Sequence, residues 1–193
     1  MTNSENQTQQ KIMEIAKNHF SKYGYAGTNL EAIGKEAGLT RGPLYYYYKN
    51  KKELYLAAVN QEMSWALKQY QSIFTSEDTI FDQLKKDVVY CSSTPSLLRN
   101  IGFGGQGEPD IPQLQEYSLQ IYNIKKEALK TAKEKGELKP DADVGEMLNF
   151  LYIYVYGINE LKKRNDLNSA LTPQTVEHHA AVFSEIFAAR YGV

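Results

Sequence analysis

The residues best equipped to do chemistry sit together between positions 40 and 52, in the run TRGPLYYYYKNKK. The run combines a guanidinium, three ammonium groups and four consecutive phenols. It has no paired carboxylates, and no histidine or cysteine. That set suits the edges and phosphates of a duplex. Arg41 can fork onto guanine N7 and O6. Gly42 lets a backbone approach closely. Tyr45 can set its ring against a thymine methyl and offer its hydroxyl to a base or phosphate. Thr28, Thr40, Tyr46, Tyr47 and Lys49 suit phosphate contacts, which fix position without reading sequence. Lys51 and Lys52 bring charge to the start of the next helix, where phosphates bind readily. Pro43 stands in a first helical turn, which tolerates it, and joins the same DNA-facing set. Four consecutive residues on a helix point in all directions, so the phenols must divide. Leu44 and Tyr48, four apart, are expected to pack inward, leaving Tyr45, Tyr46 and Tyr47 on the wet side.

These residues need helices to position them. Apolar residues at Ile12, Ile15, Ala16, Phe20 and Tyr23 recur at helical spacing, giving an amphipathic helix over about 8–23 that stops at Gly24. Thr28 and Asn29 are both N-cap types, and Glu31 lies three residues beyond Thr28, the spacing of a capping box. The helix they open, LEAIGKEAG, ends at Gly38, and Thr40 starts the next. Two short helices joined by a tight turn at Gly38-Leu39 have the dimensions of a helix-turn-helix, whose second helix enters the major groove. Asn50 can cap a further helix from Lys51.

Beyond that head, helical patterns cover 78–91, a short stretch after Pro95, 113–135, 143–164 and 173–191. A loop rich in glycine and proline, IGFGGQGEPDIP, interrupts them. No strand set and no internal repeat emerges. The expected fold is all-α with about nine helices. A helix-turn-helix domain spans 8–53, preceded by a disordered tail at 1–7, and a helical effector-binding and dimerisation domain spans 54–193.

Charge is distributed unevenly. Of 193 residues, 22 are Lys or Arg and 23 Asp or Glu, yet residues 11–52 hold eight basic and only three acidic side chains. A basic end on an acidic body suits a protein whose end meets a polyanion. A single cysteine, Cys91, excludes an internal disulfide framework and a cysteine-rich zinc module. Three histidines, two of them adjacent (His178 and His179), offer a poor metal site, and neither a nucleophile elbow nor an HExxH motif is present. Catalytic residues, metals and cofactors are therefore expected to be none. The polar start MTNSENQTQQ does not look like a signal peptide, and no apolar run is long enough for a membrane span, so a cytoplasmic protein is expected.

The run YGYAGTNLEAIGKEAGLTRGPLYYYYKNKKEL resembles the DNA-binding domain of the TetR family of bacterial transcriptional regulators over about residues 8–58. It carries the G-x-x-x-T start, the brace helix and turn, the Lys/Arg-Gly-x-Leu-Tyr recognition helix and the aromatic-Lys-x-Lys-x-x-Leu exit. The resemblance implies base contacts from Arg41, Gly42 and Tyr45, and phosphate contacts from Thr40, Tyr46, Tyr47 and Lys51. Gly34 stands where Ala is usual, a change that should loosen the brace helix slightly. Pro43 stands where Thr or Ser often contacts a phosphate. Tyr47 and Tyr48 replace a frequent His and a usual Phe.

For the remaining two thirds the resemblance is one of architecture. It implies a pocket for a small hydrophobic or aromatic effector, with Met63, Trp65, Tyr90, Phe103, Tyr117, Tyr122, Tyr152 and Tyr156 as candidate lining. No cluster of buried charges marks a strongly charged effector. Residues 144–158, VGEMLNFLYIYVYGI, are apolar nearly all round, which calls for burial on every side. A homodimer in which this helix and the last one form a four-helix bundle meets that demand. Leu151, Val155, Ile158, Phe183, Ile186 and Phe187 are its candidate interface. The expected function is a DNA-binding regulator, a ligand-released repressor that binds a palindromic operator as a dimer. Two alternatives remain: a DNA-binding protein of the same fold governed by a protein partner, and a helical lipid-binding or enzymatic module.

Overall fold

A computed structural model of the protein describes residues 3–93, 97–98, 109–163 and 172–193. Eight helices are found among the described residues, in the order α1 (Asn3–Gly27), α2 (Leu30–Glu36), α3 (Arg41–Tyr47), α4 (Lys51–Phe74), α5 (Ile80–Ser93), α6 (Leu114–Glu134), α7 (Val144–Lys163) and α8 (Pro173–Tyr191). The all-α expectation holds. Phe103 and most of the short helix expected after Pro95 lie outside the described residues.

The chain divides into two compact units. The first comprises Met1–Ala66 with Pro95–Gln115, and the second Leu67–Thr94 with Glu116–Val193. The division falls inside α4, whereas the sequence reading drew its boundary at 53/54. Residues 3–7, expected in a tail, extend α1 instead. Glutamine is a good helix former, and Glu5 puts a negative charge in the first turn, where the helix dipole favours it.

In the first unit Ile12, Ala16, Phe20, Ile33, Leu44, Leu54, Tyr55, Ala58 and Val59 are buried together. Phe20 and Tyr25 both meet Tyr55 edge-on, with centroids 4.9 and 5.0 Å away. Gly24 breaks α1 with φ 67°, a left-handed conformation that favours glycine. α2 closes in a Schellman turn. The Leu39 N–H donates to Gly34 O (2.8 Å) and the Gly38 N–H to Lys35 O (3.1 Å), with Gly38 at φ 77°.

The N-caps differ in part from expectation. Asn29, not Thr28, caps α2 by accepting from the Glu31 N–H at 2.7 Å. The Thr28 hydroxyl turns inward and donates to Gly24 O at 2.7 Å, so no capping box forms there. Asn50 caps α4, accepting from the Glu53 N–H, while Glu53 accepts in return from the Lys49 N–H.

The second unit is a helical body. α5 packs on α8 and α7. Ile80, Leu84, Val88, Met147, Leu148, Leu151, Val176, Ala180, Phe183 and Phe187 fill its core. Tyr154, Phe183, Phe187 and Tyr191 form a ladder of rings with successive centroids 4.5, 4.8 and 4.9 Å apart.

Candidate nucleic-acid interface

A seven-residue helix has too few internal hydrogen bonds to stand alone, so α3 must be held by its neighbours. Leu44 and Tyr48, its two inward residues, are buried, as their spacing predicts. Leu44 lies so close to α2 that a Cβ on Gly34 would come within 2.9 Å of Leu44 Cδ2. Gly34 is therefore a place where the two helices touch closely, a packing role beside the expected slight loosening of the brace helix. Burial raises the Tyr48 phenol above its usual range, against a side-chain hydrogen bond from Gln9 of α1.

With those two anchors inside, the rest of α3 faces outward. Gly42, Pro43 and Tyr45 are exposed, Tyr46 is 77% exposed, and Tyr47 is half-buried beside it, ring against ring at 5.3 Å. A Cβ on Gly42 would meet nothing within 4 Å. Thr40 stands at the N-cap of α3, but its hydroxyl makes no capping bond. Arg41 opens the helix. Lys49 and Lys52 are exposed. Thus Thr40, Gly42, Pro43, Tyr45, Tyr46, Tyr47 and Lys49 share the surface of the recognition helix and its exit.

Two expected phosphate contacts are placed elsewhere. Thr28 is buried with its hydroxyl committed to Gly24. The Lys51 ammonium donates to the carbonyls of Tyr25 (2.8 Å), Thr28 (3.0 Å) and Ala26 (3.4 Å) and lies 4.6 Å from the Tyr25 ring centroid.

The second unit holds a buried ion pair that helical periodicity alone does not single out. The Lys125 ammonium donates to the Asp87 carboxylate at 2.7 Å, and both side chains are almost wholly covered. Lys125 also lies 5.0 Å from the Tyr70 ring centroid and 5.1 Å from that of Tyr152. The Cys91 thiol donates to Asp87 at 3.4 Å and lies 3.2 Å from the Tyr70 hydroxyl. Burial, reinforced by the Asp87 charge, pushes the Cys91 thiol up to about 12, so no reactive thiolate is present near neutrality. Burial would lower Lys125, but the Asp87 carboxylate outweighs it and holds the ammonium above its usual range. A signal existed in the sequence. Asp87 interrupts the apolar series Leu84, Val88, Cys91, and Lys125 falls midway between Ile121 and Leu129, so both occupy core positions of their helices.

The candidate pocket residues divide, and four of them, Tyr90, Tyr117, Tyr122 and Tyr152, lie around the Tyr70–Lys125 cluster. Tyr90 packs edge-on to Tyr70 with centroids 5.3 Å apart, and Tyr152 lies beside Lys125. Tyr117 and Tyr122 add to the electrostatic surroundings of Tyr70 and Tyr152. Tyr156 is exposed. Met63 is buried and Trp65 exposed, and both belong to the first unit. A separate groove of about 600 Å³ runs along the second unit. Phe74, Ile80, Ile124 and Ala128 supply its apolar lining, and Gln83 and Thr131 part of its polar lining. None of the expected aromatic residues lines it. Its volume falls in the range of small-molecule sites.

The candidate dimer residues also divide. Leu151, Ile158, Phe183 and Phe187 are buried in this chain's own core, and Val155 is half-buried. α7 is expected to meet this chain's own core on one face and a second subunit on the other; in this chain it leaves Phe150, Ile153 and Leu161 exposed on one stripe, and α8 leaves Ile186 exposed. The neighbours of Leu151 and Ile158, not those residues themselves, are available to a partner, because the inward half of α7 already fills the core.

Residues 12–58 match the family described as bacterial regulatory proteins, tetR family. The chain is 22% identical to the HTH-type transcriptional regulator UidR of Escherichia coli (strain K12) over 156 residues, covering 78% of this chain and 79% of that protein. It is 27% identical over 146 residues to the HTH-type transcriptional repressor SCO4008 of Streptomyces coelicolor, covering 75% and 74%. The fold matches the crystal structure of a TetR transcriptional regulator from Chloroflexus aurantiacus over the whole of both chains, with a TM-score of 0.76 at 18% identity.

Proposed function

We propose a ligand-released repressor: the chain belongs to the TetR family of bacterial regulatory proteins and is a DNA-binding transcriptional regulator, and its outward recognition helix reads a palindromic operator as part of a homodimer. One observation carries this reading. α3 is pinned by Leu44 and Tyr48 while Gly42, Pro43, Tyr45 and Tyr46 are turned outward, beside the exposed Lys49 and Lys52. Three phenols in a row stand exposed or half-exposed on this helix, and the floor and backbone of a major groove suit such rings and hydroxyls. Arg41, at the first position of α3, is the proposed reader of guanine.

Two copies joined through the exposed stripes of α7 and α8 would present two recognition helices to half-sites about one helical turn apart. A small hydrophobic or aromatic effector bound in the second unit favours a state that grips the operator less well. α4 contributes residues to both units, Lys51–Ala66 to the first and Leu67–Phe74 to the second, so it is the element through which effector and head are coupled. A coupling of about 1–3 kcal/mol changes affinity several-fold to a hundred-fold.

The test is selection of random duplexes by the purified protein, with binding to the winners measured at two salt concentrations. An enriched palindrome with steep salt dependence is expected. Binding indifferent to sequence overturns the reading.

A further inference from the structure

Among the described residues of the first unit, Lys51 is a heavily engaged cation. An ammonium has three N–H donors, and three backbone carbonyls, those of Tyr25, Thr28 and Ala26, lie at 2.8, 3.0 and 3.4 Å from its Nζ. Hydrogen bonds in which the donor is ionised are the strong ones. The Tyr25 ring closes another side at 4.6 Å. That ring is held in turn against Tyr55 (5.0 Å) and stacked on Phe20 (6.4 Å). A phosphate could take this ammonium only by stripping it from its carbonyls.

The carbonyls it gathers lie past the break in α1, in the turn that leads to α2, where the Tyr25 carbonyl also accepts from the Thr28 N–H at 3.4 Å. α1 breaks at Gly24, and helix ends leave carbonyls without intrahelical partners. The same turn is tightened by the Thr28 hydroxyl on Gly24 O and ends at Asn29, the cap of α2. α2 carries Gly34, against which Leu44 of the recognition helix rests. From Lys51 to Leu44 the chain of contacts is continuous.

We propose that Lys51 is a positioning residue: it pins the α1–α2 turn and so sets the recognition helix, while the exposed Lys49 and Lys52 supply the phosphate charge at this corner. The inference deepens the DNA-binding reading and rests on it only for its DNA arms.

The decisive variant keeps the charge. In Lys51→Arg the positive charge remains, but a planar fork cannot place three donors from one nitrogen onto three carbonyls. A phosphate contact would survive or strengthen in that variant. The pin predicts at least about a tenfold loss of affinity for the selected duplex, with the slope of log K against log salt unchanged. Lys49→Gln and Lys52→Gln should each lower that slope by about 0.9. In the DNA-free protein, amide hydrogen exchange at residues 28–31 should quicken about tenfold in Lys51→Arg and in Lys51→Met. Wild-type affinity in Lys51→Arg, or a slope lowered by about 0.9 in Lys51→Met, overturns the proposal.

Two further measurements need neither a folded variant nor an operator. The wild-type Lys51 side-chain ammonium signal should be visible by NMR in the free protein. It should also keep its shift when random-sequence duplex is added at low salt. A signal that moves on adding DNA overturns the pin. Unchanged exchange at 28–31 in either variant overturns it whether or not the protein binds DNA at all.

Discussion

Gly42 shows how a side chain's absence can be assigned to a partner. Among the described residues nothing occupies the space a Cβ would fill there, so their packing does not require glycine. Gly42→Ala should leave the thermal midpoint unchanged or slightly higher, since alanine is favoured over glycine in a helix by up to about 1 kcal/mol. On the proposed DNA-binding reading the added methyl would stand between the backbone and the base edges, so the same variant should bind the selected duplex about tenfold more weakly. Equal affinity would remove Gly42 from the interface.

The Cys91 cluster makes a prediction about pH. Burial raises Cys91 from its ordinary value of 9.0 to about 12, and raises Tyr70 well above its own. Lys125 is raised too, by Asp87 against its own burial. A raised folded value means that the folded state holds its proton longer than the unfolded chain. The stability these groups contribute is thus fully present below pH 9. Each then loses about 1.4 kcal/mol per pH unit between its unfolded and folded values. Thermal midpoints measured from pH 7 to 10.5 should fall above pH 9, starting with Cys91. In Cys91→Ala the fall should begin nearer pH 10. The identical curve in that variant would show that the thiol does not titrate differently on unfolding.

The helices are held in place by contacts that periodicity only partly foretells. The Asp87–Lys125 pair ties α5 to α6 inside the body. Removing one partner leaves the other charge buried and alone, so Asp87→Asn should cost about 3–5 kcal/mol in urea denaturation, whereas Asp87→Leu with Lys125→Met should recover most of that. A small single-variant effect would mean that water reaches the pair. α3 depends on a different lock. Leu44→Ala should cost about 2–4 kcal/mol and reduce DNA binding out of proportion, since Leu44 is the seat of α3 against Gly34. The cap of α2 illustrates what spacing leaves undecided. Thr28 and Asn29 are equally good caps by type, and the contact of the Thr28 hydroxyl with Gly24 O, after the break at φ 67°, is what hands the cap to Asn29.

For the molecule as a whole, the proposed dimer makes the exposed stripe of α7 the place where two heads would be brought together. Ile153 is 69% exposed and is flanked at helical spacing by Phe150 and Leu161. Ile153→Asp should shift the protein from dimer to monomer in sedimentation velocity. It should weaken operator binding while sparing the folded body, because that side chain contributes little to this chain's core. A dimer that survives the substitution would move the interface off this face. Local chemistry was legible in the sequence wherever the chain's own neighbours decide the outcome. The helical periodicities, the glycine stops, the inward Leu44 and Tyr48, the outward phenols and the TetR resemblance of the head all follow from residue types at short spacing. The destinations of long side chains were not legible. Lys51 reaches back some 25 positions to the carbonyls of the α1–α2 turn, and Lys125 finds Asp87 across 38. From sequence, each is simply a lysine on a helix. Which half of an all-apolar helix faces inward was equally hidden, because α7 offers apolar residues on every side and only packing against α5 and α8 selects Leu151 and Ile158 for the core. A charge is placed by what lies within a few ångströms in space, and that distance is set by the fold.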